Sequence, residues 1–322
     1  MLKKNINFAL YKVYILCIKC YMANISRFIK AKKQISDFLK NTGTLFFSSE
    51  DLKSIFYNNR ETWNLPNSMN SDLFIKHILK DIGLIKGDLI LDEYDKDDDL
   101  PFGNQDVVYK SIYHFPKCPI TDIALSVHSR AYLSHYSAFS FHNLTEQIPK
   151  NIYITIEQSK RPSNISILTQ EGIDKAFHKP QRKSNLILKY NNYTITILKG
   201  KYTSELGVLQ KYRVTNLERT MLDAVVRPAY CGGVSEVLKA FINSSQTNKF
   251  SANKLMMYLK KMDFIYPYHQ SIGFFMEKSN SFKASQINLF HNLEKSYKFY
   301  LSYGMKDINY DDNWKIYYPS GM

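Results

Sequence analysis

Few of the residues that mark unusual protein classes are plentiful in this 322-residue chain. Twelve glycines and ten prolines are too few for a collagenous or low-complexity sequence. With 44% hydrophobic and 22% charged residues, the chain is an ordinary folded protein, long enough for two domains with their own cores. Its four cysteines are Cys17, Cys20, Cys118 and Cys231, which do not make the dense framework of a secreted disulfide scaffold. Reduced thiols in the cytoplasm are the simpler reading. Cys17-Ile18-Lys19-Cys20 is half of a zinc or redox pattern, and no second pair completes it.

A long apolar run is missing too. Met1 to Tyr21 opens on Lys3 and Lys4 and then turns apolar, but Lys12 and Lys19 interrupt it. It falls short of the roughly 20 apolar residues a membrane span needs, and no small-residue cleavage site follows. Residues 1–21 therefore read as an untranslated or unstructured extension, with translation starting at Met22, and no membrane partner is expected.

What is abundant is positive charge. Lys and Arg number 43 against 29 Asp and Glu, a net +14 that favours polyanionic partners. The first 40 residues hold nine Lys/Arg and only Asp37 as an acid. From Asp88 to Asp106 the sign inverts, with eight acids against Lys96 alone. Phosphate would repel that loop, so it should point away from bound nucleic acid.

Helical spacing of Ile25, Phe28, Ile29, Ile35, Phe38 and Leu39 predicts a first helix over Asn24 to Lys40, stopped by Asn41-Thr42-Gly43. Ser48 or Ser49 caps a second to about Tyr57, and Asn70-Ser71 caps a third to about Asp81. In the third, Phe74, Ile75, Ile78, Leu79 and Ile82 form the apolar arc, leaving Asp72, Lys76, His77 and Lys80 outside. Strand-like runs Leu84–Leu91 and Val107–Phe115 follow. Three short helices and a hairpin are the order of a winged helix-turn-helix, expected over residues 22–117. Pro116-Lys117-Cys118-Pro119 marks the boundary to a larger mixed α/β domain over 119–322. There the patterns give a helical pair over Asp122–Leu144, a strand Asn151–Glu157 and a hairpin turned by Asn191-Asn192. Helices at Asn216–Val226, after Gly232-Gly233, at Ala252–Met262 and at Tyr268–Glu277 follow, with short closing strands near Tyr297–Leu301 and Lys315–Tyr318. Strands and helices mix without βαβ regularity, so the class is α+β.

Several segments of this larger domain carry a resemblance. They are Tyr132-Leu133-Ser134-His135-Tyr136-Ser137-Ala138 and His142-Asn143-Leu144-Thr145-Glu146-Gln147-Ile148-Pro149. Val214-Thr215-Asn216-Leu217-Glu218-Arg219-Thr220-Met221-Leu222-Asp223 follows, with Arg227-Pro228 and Gly232-Gly233. Tyr266-Pro267-Tyr268-His269-Gln270-Ser271-Ile272-Gly273 and Trp314-Lys315-Ile316-Tyr317-Tyr318-Pro319 complete the set. In these segments the chain resembles the abortive-infection type E antitoxins, the AbiEi-like transcriptional regulators. The resemblance implies an antitoxin of a type IV toxin–antitoxin pair whose toxin is a nucleotidyltransferase-like protein. It also implies that an N-terminal winged helix represses the operon promoter, while the C-terminal domain counters the toxin without necessarily touching it.

The third helix is the candidate DNA reader, because a recognition helix sets its N-terminal side chains on base edges and basic groups on phosphates. Asn70, Ser71, Lys76, His77 and Lys80 have that chemistry, with Arg60 and the wing's Lys86 as phosphate contacts. The plainer reading is a solvated helix face, and Asp72 counts on its side. His128, His135 and His142 recur every seven residues, about 10.5 Å along one helix, which is too far for one ion. Structural histidines are the better reading. Arg219, Asp223 and Arg227 suggest an ion-pair ladder. The rival from another class is a metal-dependent nuclease using Glu157 and Asp223. Lys160 lies three residues from Glu157 and so on the opposite strand face, which speaks against it. A third reading is an RNA- or protein-binding module. No catalytic residue, metal or cofactor is assigned, and the protein is expected not to be an enzyme.

Overall fold

A computed structural model of the protein describes residues 27–92, 107–160, 167–247 and 249–322. The cationic leader, Met22, the Cys17–Cys20 pair and most of the acidic loop lie outside the described residues. Helices and sheets mix as an α+β protein. The chain divides into two compact units, one of residues 27–90 and 107–126, the other of 91–92 and 127–322 as far as they are described.

The first unit opens on helix α1, described over 27–41, which buries Phe28, Ala31, Ile35 and Leu39. Strand β1 (Phe46–Phe47) leads to α2 (Ser49–Asn59), which a reciprocal capping box starts. The Ser48 hydroxyl accepts from the Asp51 N–H at 3.0 Å, and the Asp51 carboxylate accepts from the Ser48 N–H at 2.8 Å. Helix α3 (Ser71–His77) passes into one π-helical turn (Ile78–Ile82), where the Gly83 N–H reaches back five residues to the Ile78 carbonyl at 3.1 Å. Gly83 ends it at φ 88°, a conformation only glycine adopts without strain. Strands β2 (Ile85–Leu91) and β3 (Val107–His114) follow. β3 lies between β2 and β1, and β1 runs antiparallel to it with Phe46 opposite His114. Helix α4 (Ile120–Leu125) closes the unit. Its core gathers Phe28, Leu39, Phe56, Trp63, Phe74 and Ile78 from all three long helices and the loop before α3.

The second unit starts with β4 (Tyr132–Leu133) and α5 (His135–Phe141), so a strand separates the two helices expected over Asp122–Leu144. Strand β5 (Asn151–Glu157) is the centre of its sheet, parallel to β7 (Tyr193–Gly200) and antiparallel to β4. Helix α6 (Gln170–Phe177) and strand β6 (Ile187–Tyr190) lie between β5 and β7 in the chain, and β6 pairs antiparallel with β7 through the Asn191-Asn192 turn. On the other side, β9 (Val214–Thr215) runs parallel to β4, and β8 (Val208–Leu209) is the edge. Helix α7 (Leu217–Val226) is buried along nearly its whole length. A short 3₁₀ turn (Pro228–Cys231) ends at Gly232, φ 81°, where a Cβ would come within 2.9 Å of the Glu236 side chain. Helices α8 (Val234–Ser245), α9 (Ala252–Met262) and α10 (Tyr268–Lys278) pack around α7, and α11 (Ala284–His291) packs on α9 and α10. A separate three-stranded sheet holds β10 (Phe299–Tyr300), β12 (Ile316–Pro319) and β11 (Ile308–Asp311), in that order. Trp314 is wholly buried against Gly273 of α10.

Candidate nucleic-acid interface

Asn70 precedes α3 in extended backbone, and its side-chain oxygen accepts the Leu73 N–H at 2.8 Å. That bond satisfies one of the four donors a helix start leaves open, so the residue acts first as a cap. Asn70→Ala is therefore expected to lower stability by about 1 kcal/mol, read by thermal unfolding, with DNA affinity changing little at temperatures where the fold is intact. An unchanged melting temperature would show that the cap contributes nothing.

Two of the proposed contacts are corrected. Ser71 is buried, only 8% exposed, so it offers little surface to a groove. His77, expected on the outer face, is only 6% exposed. At about 100° per residue it lies only about 60° round the helix from Phe74, and α1 supplies a ring that widens the buried arc. Its imidazole stacks on Phe28 at 4.6 Å, and Nδ1 pairs with Asp81 at 2.7 Å. The residue locks α1 to the π turn and does not reach a groove.

The two lysines stand where the pattern puts them. Lys76 and Lys80 are both exposed, and among the described residues neither takes part in an ion pair. Four apart, they share one face, with exposed Asp72 one turn N-terminal to Lys76. The widened π turn keeps Lys80 beneath Lys76. Arg60 is half-buried: its guanidinium donates to the Pro66 carbonyl at 3.0 Å and lies 5.2 Å from the Phe56 ring centre. It braces the loop before α3 with most of its reach. Lys86 is exposed on β2 but lies 3.2 Å from Asp88, whose charge competes with a phosphate for it. Asp88 is held below the usual carboxylate range by the Ser111 hydroxyl, despite some burial, with Lys86 adding to the effect. The outward charge of α3 thus rests on Lys76 and Lys80, and α1 adds exposed Arg27, Lys30, Lys32, Lys33 and Lys40 on its own surface.

The second unit's notable polar group is interior. Glu157, at the end of β5, accepts from the Thr203 N–H at 2.8 Å, from the Thr203 hydroxyl and from the Glu205 N–H at 3.2 Å. The Arg219 guanidinium sits on the far side of Thr203, donating to its hydroxyl at 3.3 Å, to the Leu206 carbonyl at 2.7 Å and to Asp223 at 2.8 Å. Burial works against this charge, yet Asp223, with Tyr132 and Glu157, holds the guanidinium protonated more firmly than usual. A cation therefore already stands between the two acids of the nuclease reading. The expected ladder has one rung, because the helical backbone ends at Arg227, φ −138°. Sequence reasoning could not find Thr203, which lies 46 residues beyond Glu157 in a loop without pattern.

The three spaced histidines have three different settings. His128 accepts from the Arg130 N–H, and His142 bonds the Thr215 carbonyl through Nε2 at 2.7 Å. His135 is buried beside Ser134, and its pKa is pushed down to about 4, chiefly by burial. Among the described residues no three His, Cys, Asp or Glu side chains gather as metal ligands, and no helix is long and apolar enough to cross a membrane. Burial raises both Cys118, to about 11, and Cys231, so neither is a ready nucleophile. Compared with protein-family models the chain gives no match, and compared with curated proteins it gives none either.

Proposed function

We propose that the protein is a cytoplasmic repressor-antitoxin that binds promoter duplex DNA through its first unit and counters a nucleotidyltransferase-like toxin through its second. The observation that carries the DNA half is the pair of outward, ion-pair-free lysines on α3, the helix that follows α2 in the chain. Supporting it is the chain order helix, strand, helix, helix, two strands, with the short β1 paired onto the last strand, β3. That is the order of a winged helix-turn-helix, whose third helix enters the major groove. Lys76 and Lys80 meet phosphates there, and the exposed basic residues of α1 add steering charge. The antitoxin half rests on the resemblance of the 132–149, 214–233, 266–273 and 314–319 segments to abortive-infection type E antitoxins. No catalytic step is proposed, because Glu157 is taken up by Thr203 and Glu205 and Asp223 is paired with Arg219.

The test is a gel shift on the chain's own upstream DNA. The wild type is expected to retard it, and the Lys76→Glu/Lys80→Glu variant to bind roughly a hundredfold more weakly, on the order of tenfold per reversed lysine. Equal retardation by the variant would remove α3 from the interface. No retardation by the wild type would remove repression.

A further inference from the structure

A second surface, wholly within the second unit, combines exposed rings with cations. Phe141, the last residue of α5, is 42% exposed, and Tyr212, in the turn between β8 and β9, is 50% exposed. Their ring centres are 5.4 Å apart with the planes tilted by 50°. His142 stands edge-on to Phe141 at 5.1 Å, and Leu209 of the edge strand, 37% exposed, lies in the same turn as Tyr212, whose N–H donates to its carbonyl. Scattered surface apolar residues need no explanation, but two aromatic rings in contact with each other and open to water do.

The charge around these rings has one sign in excess. The Lys211 ammonium lies 5.2 Å from the Tyr212 ring centre. Arg213 fastens the neighbouring loop, donating from Nη2 to the His128 carbonyl at 2.6 Å and from Nε to the Ala131 carbonyl at 3.0 Å. Between those two anchors Arg130 projects into solvent. The nearby acid Glu205 keeps its charge but accepts from the Gln210 amide at 2.7 Å, so Lys211 and Arg130 outnumber it. His142 is kept below its ordinary pKa by burial, which outweighs the opposing Thr215 carbonyl and Glu218, with Lys249 adding a little to the lowering.

We propose that this surface stacks the unpaired bases of a single-stranded RNA on Phe141 and Tyr212, with Lys211 and Arg130 on the flanking phosphates. Every base has a π-face, so a ring platform with adjacent cations suits an unpaired strand of any sequence, whereas a duplex hides those faces. Exposed Gln210, two residues before Tyr212, spends its amide nitrogen on Glu205, and among the described residues its carbonyl oxygen accepts no hydrogen bond. A ribose 2′-hydroxyl can donate to it, and a deoxyribose cannot. The inference is independent of duplex binding by α3.

The experiment is fluorescence anisotropy of a labelled 12-nucleotide oligouridylate titrated with the full-length protein. The wild type and the Lys76→Glu/Lys80→Glu variant are both expected to bind, while Phe141→Ala and Tyr212→Ala each weaken binding roughly tenfold. Tyr212→Phe should keep the stacking, and Lys211→Gln should lower the salt slope by about 0.7. Circular dichroism of the alanine variants checks that the fold is kept. Wild-type affinity in both folded alanine variants, or no binding by the wild type, overturns the proposal. Equal affinity for a matching oligothymidylate overturns its assignment to RNA.

Discussion

Arg219→Met is expected to lower the unfolding free energy of the second unit by about 3–5 kcal/mol, the usual cost of removing one partner from a buried ion pair. Arg219 is 3% exposed, and its guanidinium holds together three chain segments that are distant in sequence. It bonds Asp223 on its own helix, the Leu206 carbonyl and the Thr203 hydroxyl, which in turn satisfies Glu157. Methionine fills similar volume, so the loss is electrostatic rather than a cavity: Asp223 is left charged and unpaired in the interior. Urea unfolding followed by far-ultraviolet dichroism measures it. The double variant Arg219→Met/Asp223→Leu removes both charges and should regain most of the deficit. A single variant as stable as the wild type would mean that the network is decorative.

His135 makes the second large contribution, and it depends on pH. Its imidazole is buried, and its folded-state pKa is pushed down to about 4, with burial as the main cause and Asp223 only partly opposing it. In the unfolded chain the ordinary value is about 6.5. Between the two values the unfolded chain binds the proton and the folded one does not, so stability is fully present above about pH 6.5 and falls as pH drops towards 4. The amount is on the order of 3 kcal/mol. The backbone at His135 has φ 51°, so Asn, which tolerates that region, is the replacement to use. The stability difference between wild type and His135→Asn should shrink steadily from pH 7 to pH 4.5. A difference independent of pH would show that His135 does not titrate with unfolding.

Both groups show where the sequence was legible and where it was not. The 3.6-residue spacing of Phe28, Ile35 and Leu39 and of Phe74 and Ile78 announces α1 and α3, and Ser48 and Asn70 announce caps that the structure forms. The alternation of Ile152 and Ile154 announces β5 from Asn151 to Glu157. Local chemistry decides these elements, so local patterns reveal them. Two-residue strands such as β1, β4 and β9 exist only through partners far along the chain, and no window of sequence contains that information. Helix α6 escaped because Gly172 breaks its pattern, although Thr169 caps it and Ile173 and Phe177 bury one turn.

The outward face of α3 was half legible. Lys76 and Lys80 lie opposite the apolar arc and stay outside, but His77 sits on the flank of that arc, where only the approach of Phe28 from another helix decides its side. Ser71 is short enough for either setting, and the surrounding packing buries it. The polar network around Arg219 was read as a ladder along one helix. The Asp223 rung is there, and further partners, Thr203 and Leu206, come from a loop between β7 and β8. The Phe141–Tyr212 pair is likewise a tertiary fact, joining residues from a helix end and a turn.

That α3 presents Lys76 and Lys80 to DNA phosphates is tested most directly by the salt dependence of duplex binding. Dissociation constants for the upstream DNA, measured by anisotropy across a series of salt concentrations, give a slope for the wild type and for Lys76→Gln/Lys80→Gln. Loss of two phosphate contacts should make the neutralised variant's slope shallower by about two. Identical slopes would place both lysines off the DNA and contradict the account.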